Sequence, residues 1–600
     1  MRKGRALIPL CLLAGALWLL GSFGLRAEYD FTSALGIRAR SDVEIKVVGC
    51  FDTLPPAGCA PIRFQISNRT NSKKEWQYAV TMRSSSHNVF TTTRGTIVVE
   101  PMQKSLTLVM APIPAVPTRV SPSTSLSMEF TGYGVADGAA NQYSGGGTDP
   151  SQAVGWVSGF EKEEWARVEK VLKDDKSMAL NAVEIAPGCI GTDWRALTGF
   201  GALFVRTRDW QALPPEARST ILQYVSLGGS LILTHSVFNA QIGPVPDQGL
   251  MGFGTIKILS LSDVTPPNPA PEPSPALFPS TKPARPPMGA AEEIASEVFQ
   301  LSSPILRDVA VAGQREWKLA KAITDIPAPH GLIVTFMILF GLIIGPLNFF
   351  VLAPAGARHR LFVTTPAISL VATLLMVGLI IGRDGFGGTG RRFLVVLSLP
   401  EERTLSVLQD QVSRTGVLIR SAFREVAGTM METIPLSSGK TERRSRERTA
   451  SFAFENGWTS GSWFRSRAVQ GQFLMASVPS RARIEITQEP GGKPSAQSLF
   501  DYPLGRFYYL DANGAVWTAE RLPTGSKVPL EPSSASALEK WWAGATHEAG
   551  PWLTESIAET RGQAGWFYAE GEAGPFVPTL GSIKWEKDRS VFLGKAVVTR

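Results

Sequence analysis

Two side chains of this sequence could together perform nucleophilic catalysis. Cys189 stands between glycines in PGCIG, as a nucleophile on a sharp turn would, and His235 follows the apolar run SLILT. A cysteine activated by a histidine attacks amide and ester carbonyls, so the pair raises the hypothesis of a hydrolase or amidase. The sequence after Cys189 continues as a loop, TDW, and not as the helix of a catalytic elbow. We therefore favour the alternative in which Cys189 is a small apolar core residue and His235 a loop residue.

The other cysteines indicate a disulfide rather than a metal site. Cys50 and Cys59 flank FDTLPPAG, a turn-rich loop that could bring the two sulfur atoms together in an exported domain. Cys11 lies in the apolar N-terminal run. The sequence has no CxxC and no histidine spacing typical of a metal site, and GFG at residues 252–254 lacks the third glycine and the helix of a dinucleotide site. We expect no metal and no cofactor.

The strongest signal in the chain is a pair of long uncharged runs joined by a short basic turn. Both runs reach the roughly 20 apolar residues that a helix needs to cross a bilayer core. We predict transmembrane helices at residues 330–354 and 361–382. Since positive residues in short loops stay on the cytoplasmic side, the turn RHR at 358–360 is expected inside and both flanking blocks outside.

Inside the two runs, a few residues are expected to govern helix packing. Two GxxxG spacings would allow close approach of helices, either within the chain or with a partner's helix. One asparagine is the only strongly polar side chain deep in either run, and we predict interface anchoring or packing between the two helices for it. With no acidic or basic residue inside the runs, an ion path is not expected. The predicted packing residues are Gly341, Gly345, Pro346, Asn348, Gly378 and Gly382.

The N-terminus reads as an export signal. Residues 1–27 begin with three positive residues, Arg2, Lys3 and Arg5, and continue as a long apolar stretch, so we predict a signal peptide or an uncleaved N-terminal anchor. This agrees with the orientation of the hairpin. The predicted location is the bacterial inner membrane, with most of the chain in the periplasm.

The soluble segment before the α/β pattern is predicted to be all β. Residues 43–47 (VEIKV) and 62–66 (IRFQI) alternate apolar and polar side chains with period two, and a turn cluster, NRTNS, follows the second run. Short strands separated by turns are typical of an immunoglobulin-like or fibronectin-like β-sandwich. We place this domain at residues 28–133.

From residue 150 to 263 short apolar strands alternate with helices. The clearest helix begins at the prolines 214–215 and ends at the glycines 228–229, and a strand follows at once. Alternation of this kind predicts an α/β domain with a mostly parallel sheet. A Pro-rich linker is predicted at 264–290, and a helical or irregular connector at 291–329.

The segment after the hairpin, residues 386–600, is predicted to be a β-rich extracytoplasmic domain. FYYL and AVWT flank DANG, whose Asn-Gly pair suits a tight hairpin turn. A short helix is expected to carry Trp541 and Trp542. We predict core or membrane-interface packing for both tryptophans, with a carbohydrate-binding platform as the alternative.

Several stretches resemble known families. WRALTGF at 194–200 and YVSLGG at 224–229 resemble class I glutamine amidotransferase-like domains, in particular the inactive versions of bacterial envelope proteins. GPLNF at 345–349 and TTP at 364–366 are similar to uncharacterised bacterial membrane proteins that carry such a domain outside a transmembrane pair. The resemblance spans about residues 156–382 and implies an architecture rather than an activity.

Composition excludes some classes of function. Six hundred residues are too many for one core, and the net charge of +8 is spread along the chain. The densest basic run, 440–448, has no interleaved aromatic residues, so nucleic acid is not an expected partner. We predict a non-enzymatic bacterial envelope membrane protein that presents extracytoplasmic domains to protein partners in envelope assembly or quality control. The alternative is a membrane-tethered hydrolase or amidase that uses Cys189 and His235; no small-molecule ligand is assigned.

Overall fold

The computed structural model divides the chain into two compact units, unit 1 (Met1–Arg307) and unit 2 (Asp308–Arg600). Both are mostly β, and two long apolar helices lie in unit 2. The predictions for residues 1–27, 264–290 and 440–448, and most of the connector, lie outside the residues that the structure describes. These are 29–37, 40–84, 89–114, 124–135, 138–143, 152–157, 180–235, 245–260, 306, 309, 317–324, 330–354, 356–434, 436, 450–488 and 492–599.

The first part of unit 1 is a β-sandwich, as predicted. One sheet has the order β1-β2-β3-β6, and the other contains β5-β4-β7-β8 with antiparallel neighbours. The sandwich is longer than predicted, because its last strand ends at residue 143 and not before 133. That strand is rich in small and polar residues, which hides its alternation. The strands are β1 (Tyr29–Asp30), β2 (Val43–Gly49), β3 (Gly58–Asn68), β4 (Lys74–Ser84), β5 (Val89–Val99), β6 (Gln103–Ile113), β7 (Thr124–Gly132) and β8 (Gly138–Tyr143).

The core of the sandwich is almost wholly apolar. Phe64 from one sheet and Phe130 from the other lie 5.3 Å apart between ring centroids, and both are fully buried. Trp76 is also fully buried, and its indole N–H donates to the carbonyl of Tyr133 at 2.9 Å. Inward side chains alternate with outward ones along β2, as the period-two pattern predicts.

The second part of unit 1 is an α/β layer with a mostly parallel sheet, which confirms that prediction. The order is β10-β9-β11-β12-β14-β13, and only β13 runs antiparallel. If the five parallel strands are numbered 1 to 5 along the chain, their spatial order in the sheet is 2-1-3-4-5, as in flavodoxin-like sheets. The elements are β9 (Gln152–Val157), β10 (Leu180–Ile185), β11 (Ala202–Arg206), α1 (Thr207–Ala212), α2 (Pro215–Ser226), β12 (Ser230–His235), β13 (Gly249–Met251) and β14 (Gly254–Ser260).

Unit 2 contains the two helices long and apolar enough to span a membrane. The candidate spans are Gly331–Leu352 and Arg358–Leu379, with mean hydropathies of 2.3 and 2.0. Most of their apolar side chains are exposed in the structure, unlike those of a core helix in a soluble protein. The helices of this segment are α3 (Lys318–Thr324), α4 (His330–Leu342), which continues as a π-helix (Ile343–Leu352), a short turn (Arg358–Arg360) and α5 (Leu361–Asp384).

The rest of unit 2 is β-rich, as predicted. A nine-stranded sheet has the order β18-β21-β16-β15-β29-β28-β24-β25-β27, beside a four-stranded sheet, β26-β23-β22-β30, and an antiparallel group, β17-β20-β19. The elements are β15 (Gly388–Leu399), β16 (Thr404–Thr415), β17 (Phe423–Arg424), β18 (Thr429–Ile434), β19 (Ala450–Glu455), β20 (Trp458–Gly461), β21 (Val469–Pro479), β22 (Ile484–Thr487), β23 (Ser495–Ser498), β24 (Phe507–Leu510), β25 (Val516–Ala519), β26 (Lys527–Pro529), β27 (Glu531–Ser533), α6 (Ala535–Ala545), α7 (Pro551–Ser556), β28 (Trp566–Gly571), β29 (Ile583–Lys595) and β30 (Val597–Thr599).

The two faces of the nine-stranded sheet are covered differently. One face shares an apolar core with the four-stranded sheet. The other is covered by helices, and α3 lies over β15, β16 and β21. Trp317, directly before α3, packs edge-on against Trp552 of α7 at 5.2 Å and donates its indole N–H to the carbonyl of Glu548. Trp317 and α3, which precede the membrane helices in the chain, thus pack on a sheet whose strands all follow those helices.

Candidate functional site

The carboxyl edge of the parallel sheet in unit 1 is where this type of fold usually binds ligands. Its strand order reverses between β9 and β11, so the crevice is expected beside the ends of these two strands. The segment after β9 lies outside the described residues. What the structure does show at this edge is the loop after β10, the start of α1 and the end of β12.

Cys189 lies in the loop after β10, where it forms a disulfide with Cys50 across 139 residues of sequence. The Cα atoms are 5.5 Å apart, and both side chains are buried. The sulfur of Cys189 is therefore not a thiolate nucleophile while this bond is intact. The bond joins the loop after β2 of the sandwich to the α/β layer.

The predicted disulfide between Cys50 and Cys59 is wrong, and the register of β2 and β3 explains why. The amide of Cys50 donates to the carbonyl of Pro61 at 3.1 Å, so Cys50 lies opposite Pro61. Cys59 is two residues further along the strand. Residues offset in this diagonal way lie about 7–8 Å apart, whereas disulfides usually join Cα atoms no more than about 6.8 Å apart. Cys59 is buried and forms no disulfide.

The geometry gives no support to a Cys189–His235 dyad. His235 is the last residue of β12 and pairs with Ser260 on β14. From β10 to β12 the sheet makes three strand-to-strand steps, which amount to about 14 Å. The structure does not bring the two residues together.

A pair of carboxylates lies where the sandwich meets the edge of the parallel sheet. A carboxylate oxygen of Asp52 accepts the backbone N–H of Glu184 on β10 at 3.0 Å, and Phe51 forms a bridge with Ile185. The sandwich loop thus pairs with the edge strand β10 and covers its free backbone groups. Burial raises the pKa of Asp52, and burial together with the charge of Asp52 raises the pKa of Glu184.

Close backbone packing reinforces this junction. Gly58 has a φ of 84°, and a Cβ there would lie 2.3 Å from the nitrogen of Gly199, so only glycine fits. Phe51 and Phe200 pack edge-to-face at 5.2 Å. Arg63 donates to the carbonyl of Gly188. These contacts indicate that the loop after β10 is a structural joint between the sandwich and the α/β layer.

At the end of β11 an ion pair occupies the carboxyl edge. The guanidinium of Arg206 donates to both carboxylate oxygens of Asp209 on α1, at 2.6 and 3.0 Å. The hydroxyl of Thr207 donates to the carbonyl of Thr234 at the end of β12. These contacts close the start of α1 against the sheet, and they place a neutralised pair rather than a lone charge at the edge.

Unit 2 holds the most strongly perturbed carboxyl group outside the membrane helices among the described residues. Asp410, at the centre of β16, is fully buried, and its carboxylate accepts the backbone N–H of Gly550 and the indole N–H of Trp552, each at 2.8 Å. Burial raises its pKa to about 7, against the opposing effect of these two hydrogen bonds. This residue was not predicted from the sequence. An acid within an otherwise strand-like sequence was the available signal.

The charged neighbours of Asp410 lie along the same row of the sheet. Cross-strand pairs run from Arg589 through Phe393 to Asp410, and on through Phe473 to Glu432. One phenylalanine therefore separates Asp410 from a cation on one side, and another separates it from an acid on the other. The hydrogen bonds of Asp410 hold the start of α7 on the sheet, and within the described part of the chain neither of them comes from a titratable side chain.

On the opposite face of β16 two glutamines are buried. The amide of Gln409 both donates to and accepts from the backbone of Val577, at 3.1 and 2.8 Å. Gln411 donates to the side-chain oxygen of Gln472 on β21, which in turn donates to the carbonyl of Trp463. These amides hold distant segments on the sheet.

In the hairpin, Asn348 joins the two helices. Its side chain is fully buried, and its amide donates to the hydroxyl of Thr365 on α5 at 2.9 Å. Pro346 lies in the π-helical turn and lines a shallow apolar groove that is open to the surroundings. The glycines of both GxxxG spacings face open space and make no contact between the helices: Gly341, Gly345, Gly378 and Gly382.

The two tryptophans of α6 are core residues, which confirms the packing prediction. Trp541 and Trp542 are both less than 10% exposed. Trp541 packs on Tyr508 and Trp542 on Tyr568, with ring centroids 5.3 and 5.6 Å apart. They cover the helical face of the nine-stranded sheet and present no open platform for a sugar.

Within the described part of the chain no group of three or more metal-ligating side chains forms. No family model matches the chain, and no curated protein does. Among solved structures, β-glucuronidase 2 from Bacteroides uniformis aligns over 35% of each chain at 9% identity with a TM-score of 0.17. The Amycolatopsis orientalis exo-chitosanase CsxA aligns over 33% of this chain and 23% of its own, at 11% identity and a TM-score of 0.15.

A β-D-mannosidase from Dictyoglomus thermophilum covers 84% of this chain and 76% of its own, at 8% identity and a TM-score of 0.14. The chain spans only about a third of the length of the first of these structures. TM-scores this low carry no argument about fold or activity.

Proposed function

We propose that this chain is a bacterial inner-membrane protein whose soluble domains lie outside the cytoplasm and bind protein partners rather than catalyse a reaction. The observation that carries the location is the buried Cys50–Cys189 disulfide, which ties two folds of unit 1 together. Disulfides form and persist in oxidising compartments such as the periplasm. The basic turn at residues 358–360 supports the same orientation, because positive loops stay in the cytoplasm.

The construction of unit 2 supports a hairpin anchor. Trp317 before the first apolar helix packs on Trp552 after the second. The two flanking segments must therefore lie on the same side of any membrane that the helices cross. A pair of antiparallel spans meets this requirement, and it fixes the soluble part of unit 2 close to the bilayer.

The role of binding rather than catalysis rests on the chemistry of the candidate residues. Cys189 is held in a disulfide, and Asp410 and the buried glutamines hold backbone segments in place. The resemblance to inactive class I glutamine amidotransferase-like domains belongs to this proposal, and the parallel sheet at residues 152–260 is compatible with it. Such an architecture suits a protein that binds partners in envelope assembly or quality control.

Topology is tested by thiol labelling of single cysteines in intact spheroplasts with a membrane-impermeant maleimide. Asn513→Cys, in an exposed turn of unit 2, is expected to react at once, and Arg358→Cys only after permeabilisation. The unaltered chain is the control, because Cys59, the described cysteine outside the disulfide, is buried. The reverse labelling pattern would contradict the proposed orientation.

Partner binding is tested by crosslinking in cells, followed by purification in detergent and mass spectrometry. A partner recovered in stoichiometric amount is expected. Recovery of the chain alone would contradict the binding role.

The hydrolase alternative has a matched pair of variants. Cys189→Ala and Cys50→Ala break the same disulfide, but only the first removes the hypothetical nucleophile. Equal phenotypes at equal protein levels are expected. A phenotype confined to Cys189→Ala would favour the enzyme.

A further inference from the structure

One loop of unit 2 is attached to the end of the second membrane helix. The loop, residues 416–422 and here called the membrane-end loop, follows β16. The amide of Val417 donates to the carbonyl of Gly385 at 3.0 Å, and the amides of Gly387 and Gly416 complete the pairing with bonds of 3.1 and 2.7 Å. Since Gly385 directly follows α5, the loop stays beside the helix end.

The tip of this loop is apolar and uncovered. Ile419 is 88% exposed, which is the highest value for any large apolar side chain among the described residues, those of the membrane helices included. Phe386, on the segment paired with the loop, is 61% exposed. Phe386 forms a bridge with Val417, two residues before Ile419, so the two exposed side chains belong to one apolar patch, and exposed apolar patches mark interaction sites.

The length of α5 places the loop at the membrane surface. Its 24 residues span about 36 Å at about 1.5 Å per residue, whereas the hydrocarbon core of a bilayer is about 30 Å thick. If the helix starts at the inner boundary beside the basic turn, its last residues reach the outer headgroup region. The pairing of Gly385 and Gly387 with Val417 then keeps Ile419 and Phe386 near the same level.

The surroundings of the loop are basic. Residues 413–425 and 463–468 together carry five arginines and one glutamate. The second segment is bonded to the loop, since the amide of Arg467 donates to the carbonyl of Gly416 and the amide of Leu418 to the hydroxyl of Ser466. Arg420, next to Ile419, is exposed. Apolar side chains flanked by arginine are the composition of segments that lie in the interface of a bilayer.

We propose that the membrane-end loop is a lipid-binding site that docks unit 2 onto the outer surface of the bilayer. Ile419 and Phe386 insert at the boundary between headgroups and acyl chains, and the neighbouring arginines bind lipid phosphates. The docking fixes the tilt of the soluble domain relative to the hairpin. This inference rests on the proposed membrane anchoring, to which it adds a second contact with lipid.

The test uses the full chain in lipid nanodiscs, with an environment-sensitive fluorophore on single cysteines at three positions. Ile419→Cys reports on the loop, Leu370→Cys on the middle of α5, and Asn513→Cys on the exposed turn between β24 and β25. The quenchers are lipids with a nitroxide near the headgroup or at mid-chain, and aqueous iodide. The label at position 419 is expected to be quenched by the headgroup nitroxide roughly threefold more than the label at 513, and less by iodide.

The three positions separate two kinds of failure. If the label at 370 escapes the mid-chain nitroxide, the hairpin is not in the bilayer, and both the proposed anchoring and this inference fall. If the label at 370 is quenched while the label at 419 behaves like the one at 513, the anchoring stands and the loop inference alone is overturned.

A second pair of variants separates insertion from a folding defect. A reporter at Ser421→Cys is expected to lose roughly half of its headgroup quenching when Ile419→Asp is added, and to keep it when Val598→Asp changes an exposed apolar side chain in another sheet. Arg420→Glu is expected to weaken quenching in anionic nanodiscs and to change it little in zwitterionic ones, since headgroup charge supplies that part of the attraction. If neither Ile419→Asp nor Arg420→Glu changes the quenching, the proposal is overturned.

Discussion

The two units differ in how each holds distant segments of the chain together. Unit 1 joins its sandwich to its α/β layer by a covalent bond between Cys50 and Cys189, above an apolar core. Unit 2 contains none of the four cysteines of the chain. There, a buried carboxylate on β16 holds the backbone and the indole at the start of α7.

The difference separates two kinds of stabilisation. A crosslink acts largely on the unfolded chain and does not depend on pH in the neutral range. A buried carboxylate acts only in the folded state, and its contribution follows its protonation. The two units should therefore respond to different perturbations.

The largest effect is expected from removal of the disulfide. Replacement of both Cys50 and Cys189 by serine should lower the free energy of unfolding of unit 1 by about 2–5 kcal/mol, because a crosslink over so long a loop restricts the unfolded chain strongly. Hydrogen exchange followed by mass spectrometry on the full chain measures this in peptides from β2, β3 and β11. Peptides from β15 and β16 are expected to keep their protection, and Cys59→Ser is the control. Equal loss of protection in both units would remove the contrast.

The next effect is expected from Asp410→Ala. The N–H of Gly550 and the indole N–H of Trp552 would lose their acceptor inside the protein, which should cost roughly 3 kcal/mol in unit 2. The matched control is Asp511→Ala, since Asp511 also accepts an indole N–H, from Trp517. It lies at the start of a turn whose residues 512–515 are exposed, so the backbone N–H groups of Asn513 and Ala515 that it accepts can reach water after the substitution. A smaller loss there, about 1 kcal/mol, is expected from the same exchange measurement. Equal losses would show that burial of Asp410 contributes nothing special.

A pH dependence should follow from the same carboxyl group. Its pKa is about 7 in the folded chain and about 3.9 in an unfolded one, so between these values the folded state holds a proton that the unfolded state has lost. The contribution of Asp410 to the stability of unit 2 is therefore fully present below about pH 4 and falls by about 1.4 kcal/mol per pH unit as the pH rises towards 7.

Urea unfolding of the full chain in detergent, followed through peptides of unit 2, measures this slope. Asp410→Asn should flatten it, because the amide does not titrate. If the stability of unit 2 still falls with rising pH after this substitution, other titratable groups cause the effect.

The smallest effect is expected in the hairpin. Asn348→Ala removes the hydrogen bond to Thr365, and such bonds in membranes contribute about 0.6 kcal/mol. Thr365→Val removes the same bond from the other side, so a double-mutant cycle on helix association in detergent should give a coupling energy of that size. Zero coupling would mean that Asn348 is held by packing alone.

Local patterns predicted the elements that obey local rules. The alternation at residues 43–47 and 62–66 gave β2 and β3, and the prolines and glycines around residues 215–228 bounded α2. The two apolar runs predicted the helices of the hairpin. In each case the information lies within about ten to twenty neighbouring residues, because helix and strand periods are short.

The contacts between segments that are distant in sequence could not be predicted in this way. Cys50 has two possible partners in sequence, and the choice of Cys189 depends on how the sandwich packs against β10. The sequence QDQ at 409–411 looks like a loop or an exposed strand, but it is buried because its partners, Val577 and Trp552, come from segments more than 130 residues away. Long-range pairing of this kind leaves little local signal.

The position of Trp317 has a consequence for the biogenesis of the protein. Its hydrogen-bond partner, Glu548, lies 231 residues later in the chain. At a synthesis rate of about 5–20 residues per second, Trp317 and the apolar face of α3 leave the ribosome roughly 10–50 s before their partner is made. During that interval the two membrane helices must be inserted and the strands of unit 2 exported. The nascent chain therefore carries Trp317 and the apolar face of α3 uncovered beside the translocation machinery until the last part of unit 2 has been made.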